Sequence, residues 1–187
     1  MVQVSPVTKF HSGAGYQYED SVIYGFTHTN KGHWNLCHIP LLPVTGTPTP
    51  GDYCSPFSHE RESAAPGYYQ VFLDRYGVDA QLSSTLRCAF HKYTYPAGAA
   101  ASLLADLQRS NEHVRAWDIR KEGDNVFAGW QQTGEKMYFY AVANRPVTGI
   151  EPVVEGDREV RIVRFGEGDG ALELRIGVSF VSEKNAR

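Results

Sequence analysis

Hydrophobic and polar positions alternate most strictly near the end of the chain. Leu172, Leu174, Ile176, Val178 and Phe180 interleave with Glu173, Arg175, Gly177 and Ser179. A period of two sustained over that length predicts a strand with one dry face and one wetter face. Weaker versions of the pattern predict strands at 21–28, 113–120, 125–132, 136–144 and 158–165. Tyr69, Val71 and Leu73 also alternate, Asp74 to Gly77 reads as a turn, and Ala80, Leu82, Ser84, Leu86 and Cys88 repeat every second residue. That stretch predicts a hairpin whose second strand is closed by Tyr93-Thr94-Tyr95-Pro96. Residues 99–109, AAASLLADLQR, are the best helix candidate, although SLLADL also fits a strand between turns. Many short strands, closely spaced turns and almost no helix argue an all-β fold, an antiparallel β-sandwich of two large sheets. At 187 residues the chain reads as one such domain, residues 1–187, long enough to bury a sizeable core.

Composition narrows the function classes. The net charge is −3 with acids and bases interspersed, so there is no basic stripe for nucleic acid. No apolar run approaches the roughly 18 residues of a membrane span. Met1 precedes a strand-like VQVSPV, with no charged-then-apolar start of the signal-peptide kind. Eleven Tyr, nine Phe and three Trp against two Met reinforce strands over helices. Cys37, Cys54 and Cys88 lack CxxC spacing; one bridge with one free thiol is open to them, but three buried thiols fit better, since free Cys is among the most buried residue types.

The densest chemistry lies in GFTHTNKGHWNLCHIPLLPVTG, residues 25–46, where three histidines, Trp34, two asparagines and Cys37 stand between glycines. So many amphipathic, hydrogen-bonding side chains on one loop suit a polar ligand with apolar faces, as a sugar is. Trp34 and His33 are the leading candidates, with His28 and Asn35 beside them. Trp34 follows Gly32-His33 on a loop, so no strand pleat forces it inward; the competing expectation is that it folds down to cap the sandwich. His28, His33 and His38 at five-residue spacing also permit a metal reading, which is the weaker one because no helix aligns them and no acid lies between. His59-x-x-Glu62 is expected to be structural, with Glu60 or Glu62 accepting from Arg87 or from backbone, since Arg87 in a strand would need a carboxylate. Trp117 and Trp130 fall in strand patterns and are expected in the core. Glu19, Asp20, Glu60, Glu62, Asp106 and Asp118 show no catalytic pairing in sequence, and adjacent Ser58 and His59 on a strand would face opposite ways.

Three blocks in this order and spacing resemble the N-terminal β-sandwich domain of glycoside hydrolase family 92, the calcium-dependent exo-α-mannosidases. They are Gly15-Tyr16-Gln17-Tyr18 through Ile23-Tyr24-Gly25-Phe26-Thr27-His28-Thr29, then Phe57-Ser58-His59-Glu60-Arg61-Glu62 with Pro66-Gly67-Tyr68-Tyr69, then Leu82-Ser83-Ser84-Thr85-Leu86-Arg87 with His91-Lys92-Tyr93-Thr94-Tyr95-Pro96. Where the family commonly carries a second His and a Ser-Gly-Thr-Gly turn, this chain has Asn30-Lys31-Gly32-His33-Trp34-Asn35. The resemblance implies a non-catalytic domain that lends sugar contacts to a site shared with a following (α/α)6 barrel. That barrel would supply the acid, the base and the calcium ligands, so no cofactor is expected in these residues. It further implies a mannose-containing glycan as ligand and a secreted, periplasmic or surface-held parent. The residues alone leave open a free-standing carbohydrate-binding or protein-binding module.

Overall fold

The structure is a computed structural model that describes residues 2–168 and 170–187. In chain order the strands begin with β1 (Ser5–Val7), β2 (Val22–Ile23), β3 (Gly25–Thr27), β4 (Asn30–Lys31), β5 (Trp34–Asn35), β6 (Leu41–Val44) and β7 (Ser55–Pro56). A 3-10 turn at His59–Arg61 leads into β8 (Glu62–Ala65), β9 (Tyr68–Leu73), β10 (Val78–Ser84) and β11 (Cys88–Thr94). Then follow β12 (Ser102–Ala105), β13 (Ala116–Gly123), β14 (Val126–Gln132) and β15 (Lys136–Ala143). β16 (Val147–Glu155), β17 (Arg158–Phe165), β18 (Leu172–Ser179) and the short helix α1 (Glu183–Ala186) complete the order. Strand makes up 52% and helix 4%, so the expected all-β class holds.

A six-stranded sheet, β1-β3-β6-β12-β17-β16, faces an eight-stranded sheet, β13-β14-β15-β18-β11-β10-β9-β8. Pairings among the described residues are antiparallel. The core fills from the inner faces: Leu172, Leu174 and Ile176 of β18, Met137, Phe139 and Ala141 of β15, and Ile162 of β17 are all fully buried. The strand expected from Ala171 sits mid-sheet, paired with β11 on one edge and β15 on the other.

Two sequence expectations are corrected, and one strand is added. The helix candidate at 99–109 is strand β12, held between β6 and β17. All four of its residues are buried, and so are those of β6, so both faces are dry and no alternation marks them as strands. The long second strand of the predicted hairpin is two strands. β10 ends at Ser84, Thr85 closes a turn by bonding Cys88, and β11 returns along β10. Arg87 is therefore exposed in a turn, not buried in a strand. Finally, β16 was not predicted; it is an edge strand with many exposed positions and Pro152 within it, which blurs its period.

The three cysteines are free thiols. Cys37 is buried, which pushes its thiol up to about 12, while Cys54 and Cys88 are only half-buried.

Candidate functional site

The loop of residues 25–46 is built around a two-residue hairpin. β4 and β5 pair as Asn30 with Asn35 and Lys31 with Trp34. Gly32 takes φ +62 at the first turn position, where a side chain would be strained by the backbone although an added β-carbon would meet open space. His33 is exposed at the tip, and Trp34 is 45% exposed beside it. The Trp34 ring lies beside Gly13, where an added β-carbon would come 3.4 Å from it.

Of the four candidate residues, two are therefore at the surface and two inside. Asn35 follows Trp34 on the same strand and so points the other way, fully buried. Its Oδ1 accepts from the Cys37 backbone N–H at 2.8 Å and from the Thr27 hydroxyl at 3.2 Å. Its carbonyl accepts from Asn111 Nδ2 at 2.6 Å. A β-carbon on Gly15 would come 2.6 Å from the Asn35 amide nitrogen, which ties the 12–20 segment closely to this strand. His28 is likewise fully buried; Nδ1 donates to the Ile39 carbonyl at 3.0 Å, and its ring stacks on His91 with centroids 5.1 Å apart. Burial holds His28 down to about 4, so it is neutral at pH 7. In these positions His28 and Asn35 fasten the loop from beneath and present no atom to its outer surface.

The return path of the loop is strained. Cys37 and Ile39 have φ of 54° and 53°, a left-handed conformation that is especially costly for β-branched Ile39. Surrounding bonds hold it there. The Ile39 N–H donates to Gln131 Oε1 at 2.9 Å, and Gln131 Nε2 in turn donates to the Leu107 and Arg109 carbonyls. Between the two strained residues, buried His38 bonds the Thr29 hydroxyl through Nδ1 and Glu112 through Nε2, each at 2.9 Å. Burial lowers the His38 pKa, against the opposing pull of Glu112. The three loop histidines thus have separate jobs, and among the described residues no group of three His, Cys, Asp or Glu side chains could hold a metal ion.

A second cluster was only half visible in sequence. The His59-x-x-Glu62 pair is real, with Nδ1 to Oε2 at 2.5 Å, but the expected Arg87 partner is absent from it. Instead Glu62 accepts the hydroxyls of Tyr16, at 3.0 and 3.1 Å, and Tyr69, at 2.5 Å. His59 Nε2 lies 2.8 Å from the Tyr18 carbonyl, and the exposed Tyr18 ring stacks on the imidazole at 4.0 Å. Both ring nitrogens face atoms that only accept, so the two bonds together require imidazolium. The Glu62 hydrogen bond, then the Tyr18 carbonyl, raise the His59 pKa accordingly. The tyrosine partners lie 46 residues before Glu62 and 7 after it, a separation that no local motif reveals. Trp117 is partly buried against the core under Arg161, and Trp130 is half-buried beneath Lys136, whose Nζ stands 3.5 Å from the ring centroid.

The glycosyl hydrolase family 92 N-terminal domain model matches residues 1–179. A search of curated proteins finds no match. Among solved structures, the family GH92 α-mannosidase BT3965 from Bacteroides thetaiotaomicron superposes with a TM-score of 0.88 at 25% identity, covering 100% of this chain and 31% of that one. The same mannosidase is also solved in complex with mannoimidazole. The GH92 glycosyl hydrolase ccman5 gives a TM-score of 0.81 at 26% identity, covering 100% and 30%. The inverting mannosidase BT2199 from B. thetaiotaomicron VPI-5482, at 22% identity and TM-score 0.82, shares the fold. The chain thus spans less than a third of the length of these enzymes.

Proposed function

The chain belongs to glycoside hydrolase family 92 as its N-terminal domain, and from that membership we propose that it is the non-catalytic β-sandwich part of an exo-α-mannosidase. In this reading residues 1–187 form one domain that precedes a catalytic (α/α)6 barrel, and Trp34 and His33 are its contribution to a shared glycan site. The observation that carries it is the hairpin itself. A tryptophan 45% exposed at a hairpin tip, on a strand whose next residue Asn35 is buried and bonded to Thr27 and Cys37, offers open ring surface from an anchored position. An indole ring covers the C–H face of a sugar while its N–H donates to a hydroxyl, and His33 donates or accepts beside it. Loop strain at Cys37 and Ile39, held by side-chain bonds, is the kind of pre-organisation that binding sites retain.

Chemistry on this site would come from acids of the catalytic domain, with this domain fixing the position of the sugar. Mannoimidazole on the relative BT3965 supports a mannose-like ligand. Degradation of mannose-containing glycans outside the cytoplasm is the corresponding biological role, and no described helix is long and apolar enough to cross a membrane.

The test is Trp34→Ala in an intact polypeptide that joins this domain to its catalytic partner. A site role predicts that kcat/KM falls by tenfold or more, about 1.4 kcal/mol, at nearly unchanged Tm. A capping role predicts the opposite, a loss of about 3–5 kcal/mol of stability with intact kinetics of the folded enzyme.

A further inference from the structure

A groove lies where the two sheets end side by side. β1 is the terminal strand of the six-stranded sheet and β8 that of the eight-stranded sheet. Residues of both edges border a cleft of about 250 Å³, with Gln3, Asn30, Tyr68, Ser83 and Ser84 in its walls. Its lining holds no Asp, Glu, Lys, Arg or His among the described residues. A charged ligand would lose its water there without a counter-charge, and a purely apolar one would bury amides and hydroxyls unpaired. A polyol meets neither penalty, because amides and hydroxyls both donate and accept. Asn30 brings an amide to one wall. Tyr68 keeps 39% of its surface exposed, with its hydroxyl held by Gln70 at 2.9 Å.

Tyr69 lines this cleft and also a second of about 520 Å³, walled by Pro6, Tyr16 and Tyr18 with Glu62 among its lining. The Glu62 carboxylate is already taken by Tyr16, Tyr69 and His59. Both tyrosine hydroxyls spend their proton on it, which leaves their remaining lone pairs as acceptors for a ligand hydroxyl. Tyr18 covers His59 with one ring face and is 64% exposed. Aromatic walls with acceptor oxygens again match a sugar ring.

We propose that the two clefts, which share Tyr69 in their linings, bind a short neutral oligosaccharide across both, one ring among the amides and serines and its neighbour against Tyr16 and Tyr18. The groove goes beyond the Trp34 reading and shares none of its contact residues.

The test uses the 187-residue chain, isotope-labelled for NMR. The probes are a linear α-linked mannotriose, cellotriose and a neutral, strand-forming octapeptide. At least one trisaccharide should shift the side-chain amide signals of Asn30 and Gln3 saturably. Asn30→Ala and Ser83→Tyr should each weaken that binding about tenfold or more. Tyr18→Ala, which changes an exposed side chain, should weaken it with Tm unchanged and serves if a cleft variant fails to fold. Silence of these signals toward both sugars at tens of millimolar overturns the groove. So does a response to the peptide alone, which would mean strand addition at β8. The Trp34 indole N–H reports separately: if it stays silent while Asn30 responds, the groove stands and the loop reading weakens, and the converse removes the groove.

Discussion

Gly177 lies directly beneath Ala186, so close that a β-carbon on the glycine would collide with the alanine carbonyl oxygen. The contact seats α1 on the outer face of β18, where it also meets β15. Ser182 caps this last turn through the Asn185 N–H, and Arg120 bonds Glu183 at 2.8 Å. Ala186 is 6% exposed in consequence. Gly177→Val should therefore push α1 off the sheet at a cost of about 1–3 kcal/mol. Hydrogen exchange should show the amides of residues 183–187 losing protection while those of β18 keep theirs. Full protection of 183–187 in the variant would refute the seating.

The His28–His91 stack makes stability depend on pH with a definite sign. Both rings are fully buried, with each Nε2 lacking a partner. Burial lowers His28 to about 4, and burial followed by repulsion from His28 lowers His91 well below its ordinary value. The groups packed around them are neutral or polar: Tyr93 on the His91 Nδ1, the Ile39 carbonyl on the His28 Nδ1, and the Phe26 edge. Unfolded, both histidines take up protons near pH 6.5; folded, they do not. Their contribution is complete above about pH 6.5 and is lost as pH falls toward 4, with a limiting slope of about 1.4 kcal/mol per pH unit for each. Denaturant titrations at pH 7.5 and 4.5 should show the loss, and His91→Gln should leave only the share that His28 contributes.

His59 works in the opposite direction. Its pKa is raised by Glu62 and the Tyr18 carbonyl, so what it contributes is present below about pH 6.5 and fades as pH rises through the raised value. Glu62→Gln removes the carboxylate that needs the second ring proton. By NMR the His59 midpoint should drop toward that of a free histidine, and the Tyr18 ring signals should lose their stacking shift. An unmoved midpoint would mean that Glu62 does not hold the proton.

These cases show what was legible in the sequence. Alternation at 172–180 fixed a strand correctly because one face there is wet. β6 and β12 carry no such signal because both of their faces are dry, and SLLA looked as helical as extended. Gly177 reads in sequence as one more wet-face residue; only the returned α1 explains why it has no side chain. In the loop, sequence found the residues but not their directions. Trp34 and Asn35 are neighbours with opposite fates, and His28 belongs to the core through His91, a residue 63 positions away in number that β11 brings beside it. The Tyr16–Glu62–Tyr69 cluster likewise depends on packing of the 12–20 segment against β8.

Catalysis is not expected of this chain alone. Inversion at a glycosidic carbon takes two carboxyl groups about 6.5–9.5 Å apart, one protonated above the leaving oxygen and one free to activate water. Two of the less exposed acids here are committed elsewhere. The Asp106 carboxylate is fully buried and is held by Arg158 at 2.6 Å and Tyr53 at 2.7 Å. Glu62 accepts from Tyr16, Tyr69 and His59 at once, so its oxygens are already engaged within the domain. Asp52, Asp74 and Glu151 sit in surface pairs with Arg75, Arg61 and Arg164, far in character from an isolated general acid. The purified chain should therefore release no mannose from α-mannosides, with or without added calcium, in a reducing-sugar assay sensitive to a single turnover. Joining it to a family 92 catalytic domain should establish turnover, and Asp106→Asn should affect the joined enzyme through Tm and not through the pH profile of kcat. Sustained mannose release by the isolated chain would overturn the division of labour between the two parts.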